Sequence, residues 1–512
     1  MDDSGPASRN GGQWKWLLGT SLVVVVCVGA LYLPALGLEL LGDAYQLVHH
    51  AHAASYHPLL LLADVDGFLR PAMTWSLVVD SWIWCTWSAG FHLTNLMLFG
   101  LAAVLLAVAA RRLGVGRRAS LIIAVLWAVS PFTDELAILT AGRIQTLLAC
   151  AWFLLIVVWP RHDEVWSRTR IILTTLVTLA AMASKETWIV TPVLVALLEI
   201  GQRRHRVTRA LRTATPFIVA AVIYLYCYFV VFDLGNRGYY EWSFVPLAKV
   251  PHQLAAFLQL EQLVPISIPL TWRGIVAVAV IVGLAVSCWR SRMWTALPAF
   301  GLFFLPTFPT LMVPYLPQRF TAIPFAGFLL VLSIWISHQV RVVPWRRALQ
   351  IGVVTIAALV LVAGSLTVRA DLEDYRRLSE AHCRLLGEAE EIAHIFAPGV
   401  PVVVVRAEQD QPLLEIFRSP RGVAKLPYTR HDDPYGLIDT ASLFDWVLTG
   451  EDLLIGEISE SSSGWRDTPG ILIIHRSGGF EVIASGVVDL GDRADQWREQ
   501  GYRPRVIVAE AH

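Results

Sequence analysis

The chain has 512 residues, of which 55% are hydrophobic and only 16% charged, and its mean hydropathy is +0.55. Soluble domains carry about 25% charged residues, so a string of soluble domains is excluded despite the length. The 41 Lys and Arg balance the 41 Asp and Glu, and no basic excess is left to recruit nucleic acid. The apolar residues fall in unalternating blocks of roughly the 20 residues that a helix needs to cross about 30 Å of hydrocarbon. Blocks of this kind predict membrane helices, since only helices or closed barrels satisfy their backbone there.

In chain order, residues 1–14 form a short tail and Trp14-Lys15-Trp16 opens the first span, 15–36. That span is too long for the apolar core of a signal peptide and has no clear cleavage site, so it is expected to stay in place. Further spans are predicted at 88–110, 119–138, 144–160, 170–184, 187–201, 213–233, 274–289, 293–312, 320–338 and 347–367. This makes about eleven transmembrane helices in a domain covering 15–367. The segment 71–87 is apolar but holds Asp80, Trp75, Trp82, Trp84 and Trp87, and reads as a re-entrant or interfacial helix.

Arginine sets the orientation. One alternate set of loops carries Arg111, Arg112, Arg117 and Arg118; Arg161, Arg168 and Arg170; Arg203, Arg204, Arg206, Arg209 and Arg212; Arg290 and Arg292; and Arg341, Arg346 and Arg347. The positive-inside rule puts this set in the cytoplasm. The N-terminus is then inside, and the loops 37–87 and 233–273 and the last segment, 368–512, lie outside. The pattern fits a bacterial inner (cell) membrane with a periplasmic or extracellular C-terminal domain.

That last segment changes character. It opens with a polar helix from Arg369 to about Phe396, continuous with the last span. A buried strand is predicted at Pro401–Arg406 and a helix at Leu437–Leu448. A hairpin, Gly470–His475 and Phe480–Ala484, turns on Ser477-Gly478-Gly479. These elements predict a small α/β domain. The six cysteines form no CxxC pair, and most lie in apolar segments as small hydrophobes.

Ionisable groups at membrane depth are expensive and point to function. Asp43, Arg70, His92, Asp134, Glu135, Arg143, Lys185, Glu186 and Arg319 lie in or beside spans, and the arginine-derived topology places all nine at the outer face. Each also has a structural reading. Lys185-Glu186 is a self-compensating pair, Glu135 and Arg143 bridge a tight turn, and His92 and Asn95, three apart on one helix face, bond neighbouring helices. Asp43 caps a helix, and Asp64 and Asp66 are solvated. His49, His50, His52 and His57 are loop histidines rather than metal ligands. In the outer loop, Asn236–Tyr240 and the amphipathic Val250–Leu263 read either as a lid over a lipid substrate or as an inert loop.

Several motifs then follow one another in order. They are Asp43, Arg70-Pro71, Phe91-His92-Leu93-Thr94-Asn95, Pro131-Phe132-Thr133-Asp134-Glu135, Gly142-Arg143, Ser184-Lys185-Glu186, and Arg319-Phe320 with Pro324. Over residues 1 to about 340 the chain resembles the GT-C glycosyltransferases, and is most similar to the bacterial relatives of the protein O-mannosyltransferases. Members often have two adjacent acids in the first outer loop, where this chain has Gly42-Asp43, and a His-Pro turn where it has Ser130-Pro131.

The resemblance implies a polytopic helical membrane domain with an outward-opening site. The implied donor is a polyprenyl-phosphate-linked sugar, and the acceptor a protein, lipid or glycan. Asp43 matches the general base. Sugar transfer from a phosphate also needs cations for the leaving group, and Arg143, Lys185 and Arg319 are the candidates. Glu135 and Glu186 hold those cations or bind sugar, with Arg70, His92 and Asn95 in support. No cofactor is required by these motifs, and a divalent metal is left open. Two other classes stay in view, a transporter or flippase of lipid-linked glycans and a non-enzymatic membrane scaffold.

Overall fold

The computed structural model describes residues 6–41, 44–62, 69–161, 164–203, 206–231, 270–310, 318–342 and 346–393, together with five strands between 401 and 509. The expected lid loop with Asn236–Tyr240 and Val250–Leu263, the acids Asp64 and Asp66, and the helix at 437–448 lie outside these residues, as does Asp43.

The apolar blocks are helices. The first three are α1 (Pro6–Tyr32), α2 (Ala44–Tyr56) and α3 (Pro71–Trp84). Next come α4 (Ser88–Arg112), α5 (Arg117–Ala128), α6 (Asp134–Ile138) and α7 (Arg143–Val158). Then follow α8 (Arg168–Ser184), α9 (Thr191–Arg203), α10 (Val207–Tyr226) and α11 (Leu270–Arg290). The last four are α12 (Leu297–Phe304), α13 (Thr307–Thr310), α14 (Ala322–Val342) and α15 (Arg346–Ala393). Among the described residues, six helices are long and apolar enough to cross a membrane; they begin at Gln13, Ser88, Thr140, Val207, Arg319 and Arg346.

Two expected spans are broken rather than continuous, and proline explains both. The block 119–138 is a 12-residue α5, a turn over Ser130-Pro131, and the five-residue α6. Pro131 has no N–H and would clash one turn back, and the Thr133 hydroxyl instead donates to the Trp127 carbonyl at 2.7 Å. The block 293–312 divides into a 3₁₀ turn, α12 and α13, with Pro298, Pro306 and Pro309 along it.

The core runs around α4. Its Ala102, Ala103, Ala107, Ala109 and Ala110 have no exposed surface, and such small residues let membrane helices approach closely. Trp127 stacks on Phe99 at 5.1 Å, meets Phe153 edge-on, and donates its indole N–H to the Ala322 carbonyl at 2.8 Å. This ties α5 to α4, α7 and α14. Gly327 on α14 is required by packing, since a Cβ there would lie 2.3 Å from the Phe303 amide nitrogen.

The arginine-rich ends gather on one carboxylate. Glu164 accepts from both terminal nitrogens of Arg112, from Arg170 Nη1 at 2.8 Å and from the Arg161 amide at 3.0 Å. Its carbonyl accepts from Arg203 Nη1 at 3.2 Å. The ends of α4 and α9 and the start of α8 are thereby drawn together.

The five strands are β1 (Pro401–Arg406), β2 (Leu453–Glu457), β3 (Pro469–Arg476), β4 (Gly479–Val487) and β5 (Arg503–Ala509). They form one sheet in the order β2-β5-β1-β3-β4. β1 and β3 are parallel, and the other pairs antiparallel. The strand at 401–406 and the hairpin partners fall where the sequence marks them.

Glu164 supplies a pH test. Burial raises its pKa, but the hydrogen bonds from Arg112, the Arg161 amide and Arg170 outweigh this and bring it from the ordinary 4.5 down to about 2. A folded-state pKa below the unfolded one stabilises above the unfolded value and is lost as pH falls through the folded one. Thermal stability in detergent should therefore decline as pH drops from 4.5 toward 2. Glu164→Gln should lower stability at neutral pH and flatten that decline; parallel acid profiles for wild type and variant would show that Glu164 is not the linked group.

Candidate functional site

Arg70 and Pro71 open α3, with proline in the first turn, where its missing N–H costs nothing. Two and a half turns on, the same helix buries Asp80. Its Oδ2 lies 2.6 Å from Arg143 Nη1, and the two side chains are 2% and 0% exposed. Asp80 Oδ1 accepts from the Thr94 hydroxyl at 2.8 Å, and Trp84 Nε1 donates to the same hydroxyl at 3.0 Å. Arg143 Nη2 donates to the Phe91 carbonyl at 3.0 Å.

Arg143 is thus enclosed against α3 and α4, turned neither to Glu135 across the turn nor outward for a phosphate. Gly142 is the local cause. A Cβ there would lie 2.2 Å from the Glu135 carbonyl oxygen, so only glycine lets α7 start directly beneath that turn.

His92 and Asn95, one turn apart on α4, pin two outer segments by their backbones. Asn95 Nδ2 donates to the carbonyls of Leu136, Ala137 and Leu139 at 2.9, 3.2 and 2.9 Å. These carbonyls belong to the end of α6, which is too short to satisfy them itself. His92 Nε2 lies 3.2 Å from the Glu39 carbonyl, in the segment that leads to Asp43.

The remaining charged residues form one cluster. Arg70 grips Glu186 with two parallel bonds, Nε to Oε1 at 2.9 Å and Nη2 to Oε2 at 3.2 Å. The Arg319 amide donates to Glu135 Oε2 at 3.1 Å, with Arg319 Nη1 3.7 Å from the same oxygen. Lys185 follows the last residue of α8 in extended backbone, outside the spans on either side. Its Nζ donates to Gln145 Oε1 at 2.8 Å and sits 3.5 Å from the centre of the Phe320 ring, a cation–π contact. Arg319 flanks the same ring at 5.9 Å.

Burial pushes the Lys185 ammonium well below the usual lysine range; Arg70 adds to this, Glu186 opposes it and Arg319 adds again. Among the described residues Lys185 makes no ion pair, so its close partners are neutral. Among the described residues, Arg70 and Arg319 are paired with Glu186 and Glu135, and Lys185 has no carboxylate partner.

The structure thus brings Arg70, Glu135, Lys185, Glu186 and Arg319 together, and sets His92, Asn95 and Arg143 in a brace beneath them. Sequence reasoning left out Asp80 and Gln145 as partners. Asp80 carried a signal, an acid in an apolar helix. Gln145 carried only its place two residues after Arg143. The histidines expected in a loop stand instead on α2, as His49, His50 and His52, or just after it, as His57; His50 Nε2 lies 3.1 Å from the Leu60 carbonyl and His52 packs edge-on against Tyr56. Among the described residues no three His, Cys, Asp or Glu gather as a metal-binding group.

Broken helices packed around a buried ion pair, with charged residues collected at the breaks, make up a mostly helical fold that a solved structure shares, and among the described residues six of its helices are long and apolar enough to cross a membrane. One solved structure it resembles is ArnT from Cupriavidus metallidurans bound to undecaprenyl phosphate, with a TM-score of 0.55 at 12% identity, over 97% of this chain and 98% of that one. No family model matches the chain, and no curated relative matches it.

The Asp80–Arg143 pair is testable as a coupled unit. Asp80→Ala should cost about 3–5 kcal/mol, because it leaves an enclosed charge unpaired. Adding Arg143→Met should recover much of that loss. Thermal unfolding in detergent, taken through the double-mutant cycle, measures the coupling; strictly additive losses would show that the pair does not act together.

Proposed function

We propose that this protein is a membrane glycosyltransferase that moves a sugar from a polyprenyl-phosphate-linked donor to an extracytoplasmic protein, lipid or glycan. The observation that carries the reading is Lys185, a buried cation without an ion-pair partner among the described residues. It lies beside Arg70 and Arg319, in a fold shared with a protein solved with undecaprenyl phosphate bound. A phosphate relieves the excess charge there, and preorganised positive groups stabilise the negative charge that develops on such a leaving group.

In this reading the acceptor hydroxyl attacks the anomeric carbon as the carbon–oxygen bond to phosphate breaks. Asp43 takes the hydroxyl proton, and polyprenyl phosphate leaves into the cluster of Lys185, Arg319 and Arg70. A single displacement inverts the anomeric centre. Glu135 and Glu186 hold the two arginines in place and offer oxygens to sugar hydroxyls. Arg143, enclosed against Asp80, acts by positioning the turn above it, as do His92 and Asn95. About eleven spans with the N-terminus in the cytoplasm place this chemistry at the outer face of a bacterial cell membrane. The sheet and its surroundings then form a small α/β domain in the periplasm or extracellular space.

Mass spectrometry of cell-surface glycans and glycoproteins in wild-type, deletion and Asp43→Asn strains tests the reading without a guess at the acceptor. One sugar mass should disappear in both mutants at normal protein abundance. A profile altered by the deletion alone would remove Asp43 from the mechanism, and an unaltered profile in both would remove the enzyme.

The phosphate site has its own test. Lys185 must be protonated to hold phosphate, so undecaprenyl-phosphate binding should weaken as pH rises, and at a lower pH than an ordinary lysine would dictate. Lys185→Arg, which stays charged throughout, should flatten that dependence. Titration of the purified protein with undecaprenyl phosphate reads both, and identical profiles would take Lys185 off the phosphate.

A further inference from the structure

Helix α15 does not end at the membrane. Beyond residue 367 it continues as an amphipathic helix with a clear inner face. Val368, Leu372 and Ser379 are 0%, 7% and 3% exposed, and Tyr375 packs on the transmembrane core. Spacings of four, three and four place these residues on one side. Among the described residues the opposite side is exposed and carries surface ion pairs, such as Arg376 to Glu380 and Arg377 to Glu373.

Two polar contacts of the inner face reach segments next to site residues. Ser379 Oγ accepts from the Glu39 amide at 2.7 Å. Since His92 holds the Glu39 carbonyl, both backbone groups of Glu39 are taken by side chains from two different helices, four residues before Asp43. The flanking Leu38, Leu40 and Leu41 are all buried. The second contact is a hydrogen bond between Asp371 and Asp134. A bond between two carboxyl groups requires a proton on one of them. Asp134 Oδ1 also accepts from the Glu135 amide at 2.6 Å, and Glu135 holds Arg319.

We propose that the outward extension of α15 is a clamp on the site. Ser379 is a positioning residue for the segment that carries Asp43, and Asp371 one for the turn that carries Glu135. The proposal rests on the glycosyltransferase reading for what the site does. It adds that the C-terminal segment acts on transfer through this helix, since any force on the outer domain reaches both halves of the site along it.

The test uses the full chain in lipid nanodiscs and compares Ser379→Ala, Ser379→Thr, Asp371→Ala and Asp371→Asn with wild type. Arg376→Ala, on the solvated face, is the control. Hydrogen exchange at the Glu39 amide should quicken about fivefold in Ser379→Ala, the effect of losing one ordinary hydrogen bond. Ser379→Thr, which keeps the hydroxyl, should restore it. Sugar transfer in cells should fall in Ser379→Ala while undecaprenyl-phosphate binding holds. Asp371→Ala should instead weaken undecaprenyl-phosphate binding about fivefold, and Asp371→Asn, whose amide can still hydrogen-bond Asp134, should retain it.

Unchanged exchange at Glu39 would overturn the clamp. So would faster exchange with wild-type transfer, or equal loosening in Arg376→Ala. If wild-type protein binds no undecaprenyl phosphate and the deletion removes no sugar, the glycosyltransferase reading falls. The exchange result then stands apart as a measure of the contact alone.

Discussion

The fold turns on one enclosed ion pair, Asp80 with Arg143. A guanidinium with no exposed surface is tolerable only when paired and hydrogen-bonded, because an unpaired buried charge costs several kcal/mol. Three elements must therefore meet. Helix α3 brings the carboxylate, α7 begins with the arginine, and α4 passes between them with Thr94 for the acid and the Phe91 carbonyl for the base. Once α3 is fixed by Asp80, its first turn is fixed too, and that turn delivers Arg70 to Glu186. A contact enclosed in the core thus sets the place of the partly exposed Arg70–Glu186 pair.

Helix breaks at membrane depth release carbonyl and amide groups that lipid cannot satisfy. Here side chains take them. Asn95 collects three carbonyls at the end of α6, Thr133 closes the turn after Pro131, and His92 and Ser379 take the two groups of Glu39. The breaks and the polar residues are two halves of one device. Each break exposes backbone that demands polar partners, and each also frees the chain to turn a charged side chain inward. Glu135, Lys185 and Arg319 all stand at such breaks, next to α6, at the end of α8 and just before α14.

The apolar blocks were legible as helices, since their length is set by the bilayer itself, whereas the breaks at Pro131 and within 293–310 were not. The Arg-rich loops around residues 111, 161, 170 and 203 do gather at one end, on Glu164. The polar set was legible as a set, but its pairings were not. Lys185 and Glu186 looked self-compensating, yet Glu186 pairs with Arg70, 116 residues away, and Lys185 bonds Gln145, 40 residues away. Glu135 and Arg143 looked like a bridge, yet each turns to a different helix because Gly142 folds the chain tightly onto Glu135. Which acid meets which base is decided by helix packing, and packing leaves no mark at fixed spacing.

The pairings also bear on how the proposed site would work. Arg70 and Arg319 already have carboxylates, so an arriving phosphate must share them with Glu186 and Glu135. Such pre-paired arginines are held in a fixed geometry, and they give up part of their attraction for it. Lys185 is the complement. It has a neutral amide and an aromatic face as partners, and burial disfavours its charged form, so an incoming anion would supply the counter-charge that favours the ammonium. The two arginines then supply direction and the lysine supplies most of the driving force. A proton-sensitive lysine between two permanently charged arginines also makes phosphate affinity depend on one titrating group, and the enclosed Arg143 stays outside that balance.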